Sequence, residues 1–219
     1  MLMDKLKERK ALISVLLLVI FYGVGLTNVL LGNGESIMRL SYMNLIISSV
    51  ILFINHKIWY SDFAVKIIIV GVLGYFIEVT GVKTGMLFGE YTYGESLGFK
   101  VLDVPLIMAV NWMILCYLSL SFGVRLFKNN ILSVAFAGGL MTLLDVFIEP
   151  VAIKYDFWMW FQNGVASPEE IPLQNYLMWF IFAVALNFIL VSDMRRASNK
   201  VWPYLLAIMT VFFVTLNLI

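Results

Sequence analysis

Two neighbouring apolar stretches decide the fold of this chain: residues 104–127 read VPLIMAVNWMILCYLSLSFGVRLF, and residues 131–150 read ILSVAFAGGLMTLLDVFIEP. Each matches the roughly 20 apolar residues that an α-helix needs to cross the hydrocarbon core of a membrane. Only the polar turn Lys128-Asn129-Asn130 separates them. The pair therefore predicts two membrane-spanning helices joined by a short connection.

Apolar stretches of similar length recur along the rest of the chain. They lie at residues 11–31, 37–54, 63–82, 173–191 and 201–219. Hydrophobic residues make up 62% of the 219 residues and charged residues only 13%, whereas a soluble domain carries about 25% charge. The stretches predict an all-α fold, a polytopic transmembrane bundle of about seven helices that forms a single domain over residues 1–219.

The distribution of Lys and Arg predicts the orientation of this bundle. In a seven-helix arrangement, eleven of the 15 basic residues lie on the side of the N-terminus, and the others are Arg39, Lys83, Lys100 and Lys154. Cytoplasmic loops of membrane proteins are enriched in Lys and Arg. We therefore expect a multi-pass protein of the cell membrane with a cytoplasmic N-terminus and a C-terminus outside. A net charge of +1 without a basic stripe indicates no nucleic-acid partner, and the oligomeric state stays open.

Three carboxyl groups fall inside predicted helices, namely Glu78 in the third and Asp145 and Glu149 in the fifth. A charged side chain at membrane depth costs about 2.5–3.5 kcal/mol on insertion scales and indicates a functional site. Asp145 and Glu149 are four residues apart, so they share one helix face. From a rise of 1.5 Å per residue, Glu78 and Asp145 lie roughly 22 and 21 Å from the inner ends of their helices. The layer also holds Asn44 and Asn111.

Two interpretations of these carboxyl groups compete. They pair with buried amides and hold the helices together, or they perform chemistry. Burial and crowding of like charges disfavour ionisation, so a carboxylic acid here can stay neutral near pH 7 and donate a proton. The functional interpretation predicts general-acid chemistry on an apolar substrate dissolved in the membrane.

Metal and cofactor chemistry finds little support in the sequence. The single histidine, His56, lies in a predicted inner turn, far from the carboxyl groups, and we expect it to face solvent. The sequence has no His/Cys ligand cluster, and its outer face lacks the spaced acid pair and the basic phosphate clamp of a Mg²⁺-dependent enzyme of diphosphates. We therefore expect neither a metal nor a cofactor.

Two longer segments join the helices on the outer side, at residues 83–103 and 154–172. The first is rich in glycine, which permits irregular backbone, and its Phe88, Tyr91 and Tyr93 form either an aromatic belt or a lid over the carboxyl groups. Pro150 precedes the second segment and should kink or end its helix. In that segment, Trp158 and Trp160 either anchor the chain at the membrane interface or face inward and stabilise a carbocation.

These segments resemble the carotenoid biosynthesis protein family, which includes carotenoid 1,2-hydratases of the CruF type. The first block of the resemblance is Glu78-x-x-Gly81-x-x-Thr84-Gly85-x-x-Phe88-Gly89-x-Tyr91-x-Tyr93, followed by Leu97-Gly98, Val104-Pro105-Leu106 and Trp112. The second block is Asp145-x-x-x-Glu149-Pro150, Trp158-x-Trp160-x-x-x-Gly164, Ile171-Pro172-Leu173-x-Asn175 and Trp179.

The resemblance implies a hydro-lyase that adds water across the terminal C1=C2 double bond of an acyclic carotenoid end group. Such end groups occur in lycopene, γ-carotene and bisanhydrobacterioruberin, and the product is a tertiary alcohol at C1. Hydration is redox-neutral and needs no cofactor. We expect Asp145 and Glu149 to form the acid/base pair, with Glu78 as an orienting group or alternative acid and Asn111 as a water ligand. The substrate-binding candidates are Asn111, Trp112, Thr84, Phe88, Tyr91, Tyr93, Trp158, Trp160, Asn175 and Trp179.

Two other functions fit the same residues. A lycopene cyclase-like membrane enzyme begins with the same protonation but traps the cation with a neighbouring double bond. A non-catalytic carotenoid-binding membrane protein would hold the pigment unchanged. Product mass separates the three functions, because hydration adds one water, cyclisation is isomeric and binding changes nothing.

Overall fold

A computed structural model describes residues 2–59, 61–168 and 170–219. Within these ranges the chain is mainly helical, and the prediction of an all-α membrane bundle is confirmed. The helices are α1 Leu2–Leu30, α2 Gly34–Met38, α3 Ser41–Ile54, α4 Ser61–Thr84, α5 Ile107–Leu126, α6 Asn130–Lys154, α7 Leu173–Met194 and α8 Trp202–Leu216. The seven predicted helices correspond to α1 and to α3 through α8, and the five-residue α2 is an addition.

The helices differ in whether they are long enough to cross a membrane. Five of the described helices, α1, α4, α5, α6 and α7, have the length and apolar composition for a span. Helices α3 and α8 have 14 and 15 residues, which gives about 21–23 Å at 1.5 Å per residue, less than the roughly 30 Å hydrocarbon core. The predicted stretches 37–54 and 201–219 therefore form helices over fewer residues than predicted.

Helix α5 lies at the centre of the bundle, where it packs against α3, α4, α6, α7 and α8. Its buried side chains include Trp112, Cys116 and Tyr117. Helix α1, in contrast, exposes Leu12, Leu16 and many other large apolar side chains, as expected for a helix that contacts lipid. The central position of α5 brings Trp112 to the carboxyl group of Glu78 on α4.

Helix α6 continues one turn beyond Pro150, to Lys154, so of the two predicted effects of Pro150, a kink or a helix end, the helix end is wrong. A proline inside a helix removes one backbone hydrogen bond. The ladder resumes directly, because the Tyr155 N–H donates to the Val151 carbonyl at 3.1 Å. Val151 and Ala152 are buried, and their packing holds the last turn in place.

The two outer segments form short strands that the sequence interpretation treated as irregular loops. The strands are β1 Glu90–Tyr93, β2 Lys100–Val101, β3 Val104–Pro105, β4 Trp158–Gln162 and β5 Val165–Ala166. β1 pairs antiparallel with β4, which also pairs with β5. β2 and β3 form a hairpin whose turn residues Leu102 and Asp103 both have positive φ, 53° and 67°, as a type I′ turn requires.

The approach to β1 requires glycine at position 89. Gly89 has a φ of +113°, and a Cβ there would lie 2.7 Å from Cγ of Pro172. Side chains are strained at such φ values and this contact leaves no space for one. Gly89 thus lets β1 begin directly beside the N-terminal end of α7.

His56 is buried, so the expectation that it faces solvent is wrong. Its Nε2 lies 2.8 Å from the Ile58 carbonyl and its Nδ1 lies 2.7 Å from the Tyr117 hydroxyl. The carbonyl can only accept, so Nε2 carries the proton and Nδ1 accepts from Tyr117. The ring stacks on Phe63 at 4.4 Å. Burial lowers the pKa of His56, which keeps this contact between the α3–α4 connection and α5 neutral.

Candidate active site

Glu78 lies on α4 and is the acceptor for three side-chain donors. Its Oε2 accepts from the hydroxyls of Tyr91 at 2.7 Å and Tyr93 at 2.8 Å, and its Oε1 accepts from Nε1 of Trp112 at 3.0 Å. The residue is 3% exposed. The three hydrogen bonds fix the orientation of the Glu78 carboxyl group.

The two tyrosines both reach Glu78 because they lie two residues apart on β1 and therefore share its buried face. Burial and the charge of Glu78 raise the pKa of both Tyr91 and Tyr93 well above the usual value of a phenol. Both hydroxyls therefore keep their protons and remain donors to Glu78.

Glu149, on α6, receives a matching set of donors from β4 and α7. Its Oε2 accepts from Nε1 of Trp158 and of Trp160, both at 2.9 Å, and its Oε1 accepts from Nδ2 of Asn175 at 3.1 Å. Trp160 pairs with Tyr91, and Trp158 with Tyr93, across the ribbon. One face of the β1–β4 ribbon thus covers both glutamates and binds them with four ring donors.

Asp145 lies one turn before Glu149 and has a different environment. Its Oδ2 accepts from Nδ2 of Asn175 at 2.9 Å, the same nitrogen that donates to Glu149. Among the described residues its Oδ1 has no hydrogen-bond partner. The residue is 2% exposed and lines a large cavity. With a single donor and apolar surroundings, Asp145 is the carboxyl group of the three that is best suited to carry a proton.

The large cavity has a volume of about 330 Å³ and is mostly apolar. Its walls come from α1, α2, α3, α5, α6, α7 and α8 and from the outer segments. The polar residues along it include Ser41, Asn44, Asn111 and Asp145. Oδ1 of Asn44 is buried without a hydrogen-bond partner in the described part of the chain. The cavity therefore suits an apolar ligand that meets one carboxyl group and a few amides.

A second, much smaller cavity of about 20 Å³ lies between the two glutamates. Its lining includes Glu78, Glu149, Tyr91, Tyr93 and Asn175. The two cavities share lining residues, namely Met108, Trp158 and Trp179. The site thus has an apolar compartment with Asp145 and a small polar compartment with the glutamates.

Two of the tryptophans at the site, Trp112 and Trp179, form a rigid pair. Trp112 and Trp179 stack with ring centroids 4.5 Å apart and planes 9° from parallel. This stack fixes the indole that donates to Glu78 and places the Trp179 ring in both cavity walls.

The structure brings together nearly all residues that the sequence analysis selected, with one exception. Phe88 is buried in the wall of the small cavity, beside Tyr91. Thr84 is exposed at the end of α4, and its hydroxyl bonds to the backbone at Thr80 O and Met86 N. Thr84 contributes to neither cavity lining.

Comparison with known proteins identifies the family of this chain. A family model described as "Carotenoid biosynthesis protein" matches residues 38–219. The chain belongs to the carotenoid biosynthesis protein family. The match includes Glu78, Asp145, Glu149 and the β1–β4 ribbon, and it leaves out α1.

One curated relative of this chain is named for its activity. It is a bisanhydrobacterioruberin hydratase of Haloarcula japonica, 33% identical over 112 residues. The alignment covers 49% of the present chain and 37% of the relative, so the chain spans well under two thirds of that protein. No solved structure matches the chain.

Proposed function

We propose that this protein hydrates the terminal C1=C2 double bond of an acyclic carotenoid end group and yields a tertiary alcohol at C1. The observation that carries the proposal is the position of Asp145. It is buried, has one oxygen without a partner in the described chain, and faces an apolar cavity of about 330 Å³. Membership of the carotenoid biosynthesis family and the name of the Haloarcula relative support a carotenoid as substrate.

The reaction starts with proton transfer from Asp145. The acid delivers H⁺ to C2 of the trisubstituted alkene, and the π electrons form the new C–H bond and leave a tertiary cation at C1. Trp158 and Trp179 line the cavity beside Asp145, and their rings stabilise a nearby cation through the negative π face.

Water completes the reaction by attack on C1. The C–O bond forms, and the oxonium ion loses a proton to Glu149, whose carboxyl oxygens are held in place by the donors Trp158, Trp160 and Asn175. Asn175 holds Glu149 and Asp145 at one amide nitrogen, so the proton returns to Asp145 over a short path. The cycle consumes one alkene and one water, and needs no cofactor.

The substrate reaches the site from the lipid bilayer. A carotenoid is dissolved in the membrane, and the cavity walls include residues of α1, the least buried of the five long apolar helices in the described chain. We propose the cell membrane as the location and lycopene, γ-carotene or bisanhydrobacterioruberin as substrates.

Expression in bacteria that make acyclic carotenoids tests the proposal. Pigments are extracted, separated by chromatography and weighed by mass spectrometry. We expect a product heavier by one water with the wild-type protein and none with Asp145→Asn. A matched control, Glu95→Gln, changes an exposed acid of the outer segment that pairs with Lys100 and should leave the product unchanged.

The alternative functions give different results in the same experiment. An isomeric product of unchanged mass indicates a cyclase. Unchanged pigment that co-purifies with the protein indicates a binding protein. Either result, obtained across the three substrates with folded protein, contradicts the hydratase proposal.

A further inference from the structure

The small cavity between Glu78 and Glu149 has the size of one water molecule. Its volume is about 20 Å³, and a cavity needs roughly 10–15 Å³ of probe-occupied volume to hold a water. A buried water also needs two to four polar partners. The glutamates provide acceptors on two sides of the cavity.

The hydrogen-bond inventory of the glutamates leaves one position on each for such a water. A carboxylate has about four acceptor sites, two on each oxygen. Oε2 of Glu78 already accepts twice, as does Oε2 of Glu149. Each Oε1 accepts once, from Trp112 and from Asn175 respectively. One acceptor position therefore remains on Oε1 of each glutamate, which matches the two hydrogens of one water.

The lone pairs of a water in this position face no free hydroxyl or amide donor among the described lining residues. The ring donors of the β1–β4 ribbon, on Tyr91, Tyr93, Trp158 and Trp160, already donate to the glutamates. The amide of Asn175 donates to Glu149 and Asp145. Such a water has both hydrogens held by carboxylates and a free lone pair, which makes it a good nucleophile.

The two cavities have part of their walls in common. Met108, Trp158 and Trp179 line both cavities, while Asp145 lines only the large one. The proton donor therefore lines the large cavity, and the two glutamates line the small one.

We propose that the small cavity is the binding site of the reacting water, with Glu78 and Glu149 as its two acceptors. The inference rests on the proposed hydratase function. The water stays out of the apolar cavity until protonation creates the cation at C1. It then attacks C1 with its lone pair, the C–O bond forms, and its proton passes to Glu149. Glu78 binds and orients the water and has no part in the transfer of H⁺ to C2.

Reaction in heavy water separates the two steps. Membranes that contain the full chain are incubated in D₂O with an acyclic carotenoid, and deuterium at C2 is counted in both the alcohol and the recovered substrate. Without the bound water, the cation loses a proton from C2 or from a methyl group on C1 and returns to an alkene. Glu78→Gln should therefore reduce hydration at least tenfold more than deuterium exchange. Glu90→Gln, an exposed acid-to-amide change on β1, should alter neither.

Several outcomes overturn the inference. Equal loss of exchange and hydration in Glu78→Gln places Glu78 with the acid, and hydration at the wild-type rate removes any role in water binding. Exchange without hydration in Asn111→Leu, and not in Glu78→Gln, moves the water to the large cavity, where Asn111 lies. Wild-type protein that neither exchanges nor hydrates any acyclic carotenoid contradicts the hydratase function itself.

An experimental structure tests the water site without activity. At a resolution that shows ordered water, we expect one peak within hydrogen-bond distance of both glutamate Oε1 atoms in the wild-type protein. A cavity without that peak overturns the inference even in an active enzyme. A peak in a protein with no hydratase activity keeps the water site and removes its catalytic role.

Discussion

Gly74 lies on α4 one turn before Glu78, and its contact with α5 determines the position of Trp112. A Cβ at Gly74 would lie 2.6 Å from Cβ of Trp112 and 2.7 Å from its Cδ1. Trp112 is fully buried and stacked on Trp179, so its ring cannot move aside freely. Gly74→Ala should therefore push α4 and α5 apart and weaken the Trp112–Glu78 hydrogen bond.

The size of this effect follows from three contributions. Overpacking of a close-packed core costs about 1–3 kcal/mol. Loss of the hydrogen bond from Trp112 to the charged Glu78 costs about 1.5–3 kcal/mol. Alanine in place of a helical glycine returns about 0.5–1 kcal/mol. We expect a net loss of about 1.5–5.5 kcal/mol in the free energy of unfolding.

Unfolding in mixed micelles of a mild detergent and SDS, followed by circular dichroism, measures this loss. Gly139→Ala is the matched control, because Gly139 lies on α6 and a Cβ added there would meet no atom within 4 Å. It should be neutral or stabilise by up to about 1 kcal/mol. A Gly74→Ala protein within about 0.5 kcal/mol of wild type, with full activity, would refute the close contact between Gly74 and Trp112.

Three further predictions address the cavity, a buried histidine and the topology. Gly25 lines the large cavity, whereas Gly23 has open space around it. Gly25→Leu should therefore reduce carotenoid conversion at least about tenfold, or 1.4 kcal/mol, and Gly23→Leu should leave conversion unchanged. Equal conversion by both variants would contradict the position of the substrate. Burial lowers the pKa of His56 in the folded protein, so the unfolded chain binds the proton more tightly. The free energy of unfolding should therefore fall as the pH drops below about 6.5, by at most about 1.4 kcal/mol per pH unit. Unfolding titrations at several pH values should show this slope in the wild type and lose it in His56→Gln. Ile219→Cys in a Cys116→Ala background should react with a membrane-impermeant maleimide in intact cells, and labelling only after lysis would contradict an outer C-terminus.

The membrane bundle was predictable because hydrophobicity over some 20 residues is a strong signal. The ends of α3 and α8 were harder to predict from hydrophobicity. The apolar stretch 37–54, for example, includes the turn at Arg39 and Leu40 that separates α2 from α3. Helix α6 continues past Pro150 for a physical reason. One missing hydrogen bond in the last turn costs less than the burial of Val151 and Ala152 contributes.

The β1–β4 ribbon had a signal in the sequence that the interpretation as loops missed. Tyr91-x-Tyr93 and Trp158-x-Trp160 both have the two-residue period of a strand with one buried face. The strands are short and far apart in the chain, so their pairing and register depend on α4 and α6 bringing them together. Local sequence carries no information on that pairing.

The candidate site was predictable as a set of residues but not as a hydrogen-bond arrangement. The free-energy cost of a charged side chain at membrane depth indicated Glu78, Asp145 and Glu149 as candidates. The sequence does not indicate that Trp158 and Trp160 direct their N–H groups at Glu149, or that one nitrogen of Asn175 joins both carboxyl groups of α6. These contacts depend on side-chain directions that only the folded chain defines.

The source of the hydrogen at C2 tests the account most directly. Purified wild-type protein and Asp145→Asn, each shown to be folded by circular dichroism, are given an acyclic carotenoid in D₂O. We predict one deuterium at C2 of every alcohol formed by the wild type, and neither alcohol nor exchanged substrate from Asp145→Asn. Hydration by Asp145→Asn at the wild-type rate would contradict the assignment of Asp145 as the proton donor.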